Sequence, residues 1–286
     1  MNGFAERLPP HVYFLISAVF HYLGPSFAVL LFAHLSPEGV AWLRIAAAAA
    51  LFALWRSPLR TLGEATSRSR RLILLLGLIL AAMNICFYLA IARLPLATVA
   101  GIEFAATIAV ALFGLRNLRN LTALAFAVAG VFLLIGFTAA GDPLGLIFAF
   151  ANAVLFALYI IVGHALAEEG GASGVMRLAA AMTVAFILAS PFGIGDVATV
   201  LAHPLLILAG IGVGLSSSVI PYICDQLAMA RLPRASFALM LSLLPAIAAV
   251  TGAVVLRQIP GPADLLGILL VVLGVGLHQP AERLPQ

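Results

Sequence analysis

The chain has little charge for its length. Charged residues make up 9% of its 286 residues and hydrophobic residues 64%, whereas soluble globular proteins carry roughly 25% charged residues. A soluble fold could not hide this much apolar surface, because soluble surfaces need polar cover. The composition therefore excludes an ordinary soluble domain and predicts a polytopic, all-α membrane protein.

Lysine is absent, so all fifteen basic residues are arginines. Their excess does not indicate a nucleic-acid partner, because they lie in short segments between apolar runs, where basic residues act as topology signals. The only two cysteines, Cys86 and Cys224, both lie inside apolar runs, which argues against a structural disulfide. No cofactor and no metal ion is expected, and the first apolar run is too long for a cleavable signal peptide.

Ten apolar runs qualify as membrane spans, since a bilayer core of roughly 30 Å needs about 20 residues per helix. They lie near 11–34, 38–55, 72–92, 96–115, 121–138, 143–166, 175–192, 204–229, 235–256 and 263–279. The arginine-rich segment 56–71 is placed in the cytoplasm by the positive-inside rule. Twelve arginines then face the cytoplasm, three (Arg44, Arg93 and Arg257) lie near the outside, and both termini are cytoplasmic.

Two segments of the chain are nearly the same. At a shift of 138 residues, "MNICFYLAIARLPLAT" from Met83 lies over "PYICDQLAMARLPRAS" from Pro221. The sequence thus predicts two related halves, 1–138 and 139–286, with five spans each. Because five is odd, the second half enters the membrane upside down, and folds of this kind bind their substrate near the midplane and expose it to alternate sides.

These segments resemble the drug/metabolite transporter superfamily and, within it, the ten-helix EamA-type exporters. The resemblance rests on the stretch 83–113 and on "SSSVIPYICDQLAMARLPRASFALMLSLLPAIAAVTG" from Ser216. It is greatest to the threonine/homoserine exporters and their aromatic amino-acid relatives. The resemblance implies a multi-pass protein of the bacterial inner membrane that exports amino acids or similar metabolites and is not an enzyme.

Polar side chains recur on helical stripes within the spans, and polar groups inside a bilayer usually face a cavity or another helix. The candidate substrate-binding residues are His21, Asn84, Tyr88, Glu103, Asn152, Phe156, Tyr159, Ser218 and Tyr222. Converging on one cavity, they would suit a ligand with an ammonium, a carboxylate and a variable side chain. Packing between helices is the alternative for each of them.

Four charged residues within or near the spans need an explanation. Glu103, deep in the fourth span, is expected to bind a substrate ammonium, carry a proton or pair with an arginine. Asp225 is expected to form a salt bridge or gate contact near Arg231, or else to couple transport to an ion. Arg44 and Arg177 occupy matching places in the two halves and are expected to anchor to lipid headgroups.

Small residues and prolines mark places where helices pack closely or bend. Pro25, Pro221 and Pro245 remove backbone hydrogen bonds and are predicted hinges. Gly210 and Gly214, with Ser218 one turn later, form a small-residue ridge on the eighth span that predicts close helix packing.

Other functions stay open at this stage. A membrane-embedded enzyme is the main rival, although the metalloprotease spacing H-E-x-x-H is absent, and a channel would show charge rings or filter repeats. A drug or nucleotide-sugar carrier on the same fold is a further alternative. Proton antiport and transport down the amino-acid gradient are indistinguishable from sequence, and so is the oligomeric state, for which a monomer is plausible.

Overall fold

The structure is a computed structural model that describes residues 8–55, 57–112, 118–139, 142–167, 171–232, 237 and 244–277. Within these ranges the regular structure is helical and contains no strand, which confirms the all-α membrane class. The helices are α1 (Pro10–Val29), α2 (Pro37–Trp55), α3 (Pro58–Glu64), α4 (Ser67–Ile91), α5 (Leu96–Leu112), α6 (Leu118–Ala139), α7 (Pro143–Ala167), α8 (Gly171–Gly193), α9 (Val197–Ala202), α10 (Pro204–Gly214), α11 (Ile220–Met229), α12 (Leu244–Leu256) and α13 (Pro262–Leu277).

Among the described residues, six helical segments are long and apolar enough to cross a membrane. They are Pro10–Ala33, Pro37–Leu54, Ser67–Ile91, Pro143–Ala167, Gly174–Ala202 and Pro204–Met229, and each coincides with a predicted span. The shorter helices α5, α6, α12 and α13 lie where the other four spans are predicted. The chain is therefore a multi-pass membrane protein, and the count of ten spans stays a prediction.

Helix starts follow from local sequence. Proline opens α1, α2, α3, α7, α10 and α13, where its missing N–H would have no intrahelical partner and its fixed φ suits the first turn. The side chain of Thr66 accepts a hydrogen bond from the Ser69 amide at 3.2 Å and so caps α4. The Asp142 carboxylate accepts a hydrogen bond from the Gly145 amide at 2.9 Å and caps α7 in the same way.

The helix contacts of the two predicted halves correspond to each other. In the first half, α1 packs against α11 and α12; at the matching place in the second half, α7 packs against α4 and α5. Three helices also contact their own counterparts, in the pairs α2 with α8, α5 with α12 and α6 with α13. One pair of corresponding side chains is also in contact. The Asn84 amide donates to the Tyr222 hydroxyl at 3.4 Å, and these residues are 138 positions apart, which is the shift between the repeated segments.

The small-residue ridge packs against α2. A Cβ added at Gly210 would lie 2.5 Å from Cγ of Leu43, and one at Gly214 would lie 2.6 Å from Cβ of Ala47. Ser218, one turn further on, contacts Arg44 of the same helix. The glycines thus let α10 approach α2 closely, which brings Arg44 against the segment that follows α10.

Candidate functional site

A cavity lies in the middle of the helix bundle, between side chains of α1, α2, α4, α5, α7 and α11. Its lining residues are His21, Arg44, Met83, Asn84, Phe87, Glu103, Asn152, Phe156 and Tyr222. Residues of both predicted halves thus share one wall. We call this space the charged cavity, because it is lined by one acidic and one arginine side chain.

Glu103 is the acid of the charged cavity and is 1% exposed. The Asn152 amide donates to Oε2 of Glu103 at 2.7 Å. Nε2 of His21 lies 3.6 Å from Oε1, the other carboxylate oxygen. The neighbours of Glu103 thus include a neutral donor and a titratable side chain, both from helices of the cavity wall.

Arg44 is the cation of the charged cavity and is 4% exposed. Its Nε donates to the Ser218 hydroxyl at 2.7 Å, and its Nη2 donates to the Ser217 carbonyl. Its Cζ lies 5.7 Å from the ring centroid of Tyr88 and 5.9 Å from that of Tyr222, within the range of cation–π attraction. The expectation that Arg44 anchors to headgroups is therefore wrong.

The inward position of Arg44 has a local cause. Residues Leu215–Val219 form one π-helical turn between α10 and α11, and Pro221 follows immediately. Proline has no N–H, so it cannot bond to the Ser217 carbonyl four residues earlier. The guanidinium of Arg44 donates to that carbonyl instead. Turns of this kind are frequent at functional sites.

A second cavity adjoins the first and shares His21 and Phe156 with it. Its lining residues are Phe14, Ser17, Ala18, His21, Phe156, Tyr159, Asp225, Phe237 and Leu244. We call it the aromatic cavity. The ring centroids of Phe156 and Tyr159 lie 5.9 Å apart in a stacked arrangement, and that of Phe14 lies 5.5 Å from Phe237.

Asp225 is the acid of the aromatic cavity, and both of its oxygens are hydrogen-bonded. The Ser17 hydroxyl donates to Oδ1 at 2.5 Å and the Tyr159 hydroxyl donates to Oδ2 at 2.9 Å. The predicted contact with Arg231 is wrong, because Asp225 bonds to Ser17 and Tyr159 instead and Arg231 lies beyond the end of α11 at Met229. Arg231 instead donates to the Leu8 carbonyl at 3.0 Å.

All nine predicted substrate-binding residues lie around these two cavities. His21, Asn84, Glu103, Asn152, Phe156 and Tyr222 line the charged cavity. Tyr159 lines the aromatic cavity, and Tyr88 and Ser218 contact the guanidinium of Arg44. This placement leaves open whether they bind a substrate or only pack, so the assignment stays a prediction.

The predicted hinges lie next to the same residues. Pro25 is buried inside α1 and removes the donor that would bond to the His21 carbonyl, four residues earlier. Pro221 does the same for the Ser217 carbonyl, and Pro245 is buried at the second described position of α12. Their role in movement stays a prediction.

Sequence reasoning missed Arg44 as a cavity residue, although a signal was available. Arg44 is the eighth residue of α2 and Glu103 the eighth residue of α5, so both lie about 10 Å from a helix end at 1.5 Å per residue. The depth that marked Glu103 as unusual therefore applied equally to Arg44. Among the described residues, no group of three His, Cys, Asp or Glu side chains could hold a metal ion.

Residues 143–278 match the EamA-like transporter family. This segment, a little under half of the chain, is similar to an EamA-like transporter domain. Over 278 residues, it is also 29% identical to the threonine/homoserine exporter RhtA of Escherichia coli strain K12 and to RhtA of Salmonella typhimurium strain LT2, with 95% of this chain and 92% of each relative covered. These similarities confirm the predicted drug/metabolite transporter type.

A solved crystal structure shares the fold of the EamA-like chain. The two superpose with a TM-score of 0.59 at 18% sequence identity, over 93% of this chain and 96% of the other. The helix bundle is therefore a known architecture over nearly its full length.

Proposed function

We propose that this protein exports amino acids across the bacterial inner membrane by alternating access, without chemical conversion of its substrate. Its EamA-like domain and its similarity to bacterial threonine/homoserine exporters support this function. The substrate range is broad and includes threonine and homoserine or aromatic amino acids. The partners are the substrate and the lipid bilayer, with no nucleic acid.

The observation that carries the proposal is the buried carboxylate of Glu103 in the charged cavity. A carboxylate in the membrane interior is costly unless a cation, a proton or strong hydrogen bonds stabilise it. The Asn152 amide donates to one oxygen, and the other lies at the cavity wall beside His21. The α-ammonium of an amino acid supplies a cation and further N–H donors at that place.

The other proposed substrate-binding residues fall into a polar group and an aromatic group. Asn84, Asn152 and Tyr222 surround the polar part of the substrate, together with His21. Phe156, Tyr159 and Tyr88 provide aromatic surface, which suits side chains of varied size because burial and stacking grow with contact area. Ser218 accepts a hydrogen bond from Nε of Arg44 and so helps to fix that side chain in the wall of the charged cavity.

Alternating access requires that the two halves exchange conformations. The pairwise correspondence of helix contacts supports two halves related by a two-fold axis, since a helix contacts its own counterpart only near such an axis. The hydrogen bond between Asn84 and Tyr222 places two corresponding residues together beside the charged cavity. Pro25, Pro221 and Pro245 are the proposed hinges of this exchange, and Asp225 is the proposed gate residue.

The proposed orientation has both termini in the cytoplasm, and impermeant thiol labelling of whole cells tests it. In a variant without Cys86 and Cys224, a cysteine at Asp142 should react from outside. A cysteine at Gly63 should not react, although a side chain there meets no other atom within 4 Å. The reverse pattern would contradict the orientation.

Transport into liposomes tests the function itself. Purified protein should exchange labelled threonine or phenylalanine in counterflow, and Glu103→Gln should lower this exchange at least tenfold, because it cannot hold a negative charge. Glu64→Gln is the matched control, since Glu64 is exposed and its salt bridge is with Arg60 on α3. A variant Glu103→Gln that exchanges amino acids normally would contradict the assigned site.

The alternative is an exporter of another small metabolite or drug on the same fold. The same liposomes distinguish it, because a panel of unlabelled compounds would then compete while amino acids would not. A pH gradient across the liposomes separates two modes of the proposed export. If dependence on the gradient disappears in Glu103→Gln while counterflow stays normal, Glu103 carries a coupled proton and does not bind the substrate ammonium.

A further inference from the structure

Arg44 is a buried cation without an acidic partner. Within the described ranges, no Asp or Glu side chain lies within 4.0 Å of its guanidinium nitrogens. Its protein contacts are the Ser218 hydroxyl, the Ser217 carbonyl and the two tyrosine rings, and all of these are uncharged. Among the described residues, the guanidinium of Arg44 is thus in direct contact with dipoles and ring faces but with no carboxylate.

These contacts leave part of the guanidinium unused. A guanidinium has five N–H groups, and the hydrogen bonds to Ser218 and Ser217 use two of them. Arg44 also belongs to the wall of the charged cavity. Its planar fork matches a carboxylate in geometry, and bonds between two charged groups are about twice as strong as neutral ones.

We infer that Arg44 binds the carboxylate of the transported substrate in the charged cavity. Glu103 and Arg44 line this same space, so a ligand with both an ammonium and a carboxylate satisfies both buried charges at once. The hydrogen bonds from Arg44 to the π-helical turn hold its side chain in the wall before the substrate arrives, which lowers the entropy cost of binding. This inference rests on the proposed function and names the group that recognises the acid end of the substrate.

The test compares ligands that differ only at their charged ends. Purified protein is heated with threonine or phenylalanine, with their methyl esters, and with the ammonium-free acids 3-hydroxybutanoate and 3-phenylpropanoate. Ligand-induced stabilisation yields the affinity for each compound. Wild type should bind the amino acids about 10- to 100-fold more tightly than the esters, the range for a hydrogen-bonded charged group.

In Arg44→Gln this ratio should fall close to one, because the acid loses its charged partner while the ester loses little. Arg44→Lys should keep part of the ratio, and Arg60→Gln, a matched change at an exposed arginine of α3, should keep all of it. An unchanged ratio in Arg44→Gln, or equal weakening of acid and ester, would overturn the inference. If Arg44→Gln does not fold, Arg44→Lys and Ser218→Ala should each lower the ratio severalfold, and no change in either would overturn it.

The ammonium-free acids separate this inference from the proposed function. If wild type binds these acids and Arg44→Gln does not, while neither binds an amino acid, amino-acid export is contradicted and the carboxylate site is supported. If wild type and Arg44→Gln both exchange amino acids and show the same preference for acid over ester, export is supported and the carboxylate site is overturned. Wild type that binds no carboxylate of any kind also overturns it.

Discussion

The two central cavities each contain one buried carboxylate, in different surroundings. They are of similar size, so volume does not distinguish them. In the aromatic cavity, hydroxyl groups donate to both oxygens of Asp225. In the charged cavity, Asn152 donates to one oxygen of Glu103, the second lies beside His21, and Arg44 lines the same wall.

This difference separates a carboxylate that holds helices together from one that faces a ligand. Asp225 joins α11 to α1 and α7 through its two hydroxyl donors, so its removal acts first on stability. Glu103 lies where a ligand's cation would be needed, so its removal acts first on transport. Variants that lower stability without transport, or transport without stability, would support this distinction. Variants of either residue that lower both equally would contradict it.

The largest effect on stability is expected for Asp225→Ala. The change leaves the buried hydroxyls of Ser17 and Tyr159 without an acceptor, at a cost of about 2–5 kcal/mol. Thermal unfolding in detergent measures it, with Glu103→Gln alongside. Asp225→Asn keeps the shape and can still bond to both hydroxyls, so it should lose less than half as much. An equal loss of stability in Glu103→Gln would contradict the distinction between the two carboxylates.

A smaller effect is expected for Gly24→Ala, which acts on the frame of the charged cavity. The new Cβ would overlap with Cβ of Ser217 and force α1 away from the π-helical turn, with overpacking of about 1–3 kcal/mol. The unfolding temperature and amino-acid affinity should both fall. Gly63→Ala is the control, because its Cβ meets open space and its helix should gain slightly. Unchanged affinity in Gly24→Ala would show that the turn does not position Arg44.

Tyr159→Phe tests the aromatic cavity with a single atom. It removes one of the two donors to Asp225 and keeps the stacked ring, so we expect a loss of about 1–2 kcal/mol in unfolding free energy. The preference for amino acids over their esters should not change, since Tyr159 is not among the residues that line the charged cavity. A changed preference would mean that the two cavities act as one binding site.

The smallest effect, and one of opposite sign, is expected for Gln226→Met. The Gln226 side chain is fully buried, and neither its oxygen nor its nitrogen has a hydrogen-bond partner among the described residues. A side chain of similar shape without these polar atoms should leave stability unchanged or raise it by up to about 1 kcal/mol. A clear loss of transport without loss of stability would instead give Gln226 a part in the transport cycle.

Sequence reasoning found half of the residues that line the two cavities, but not all of their contacts. Helical spacing found Asn152, Phe156 and Tyr159 on one stripe of α7, and the structure places all three at the cavities. Spacing along one helix could not pair Asp225 with Ser17, because these residues are 208 positions apart and no local rule joins them. Nearness in sequence pointed to Arg231 instead, which lies beyond the last residue of α11, Met229.

The sequence by itself determined the class of this protein. Its apolar runs require helices in a bilayer, its prolines mark where helices begin, and its repeated segments relate its two halves. Only the tertiary structure decided which way each polar side chain turns. Arg44 contacts the π-helical turn rather than lipid headgroups because Gly210 and Gly214 let α10 approach α2, and because Pro221 leaves the Ser217 carbonyl available. The direction of a side chain depends on helix rotation, and helix rotation is set by packing between segments far apart in the chain.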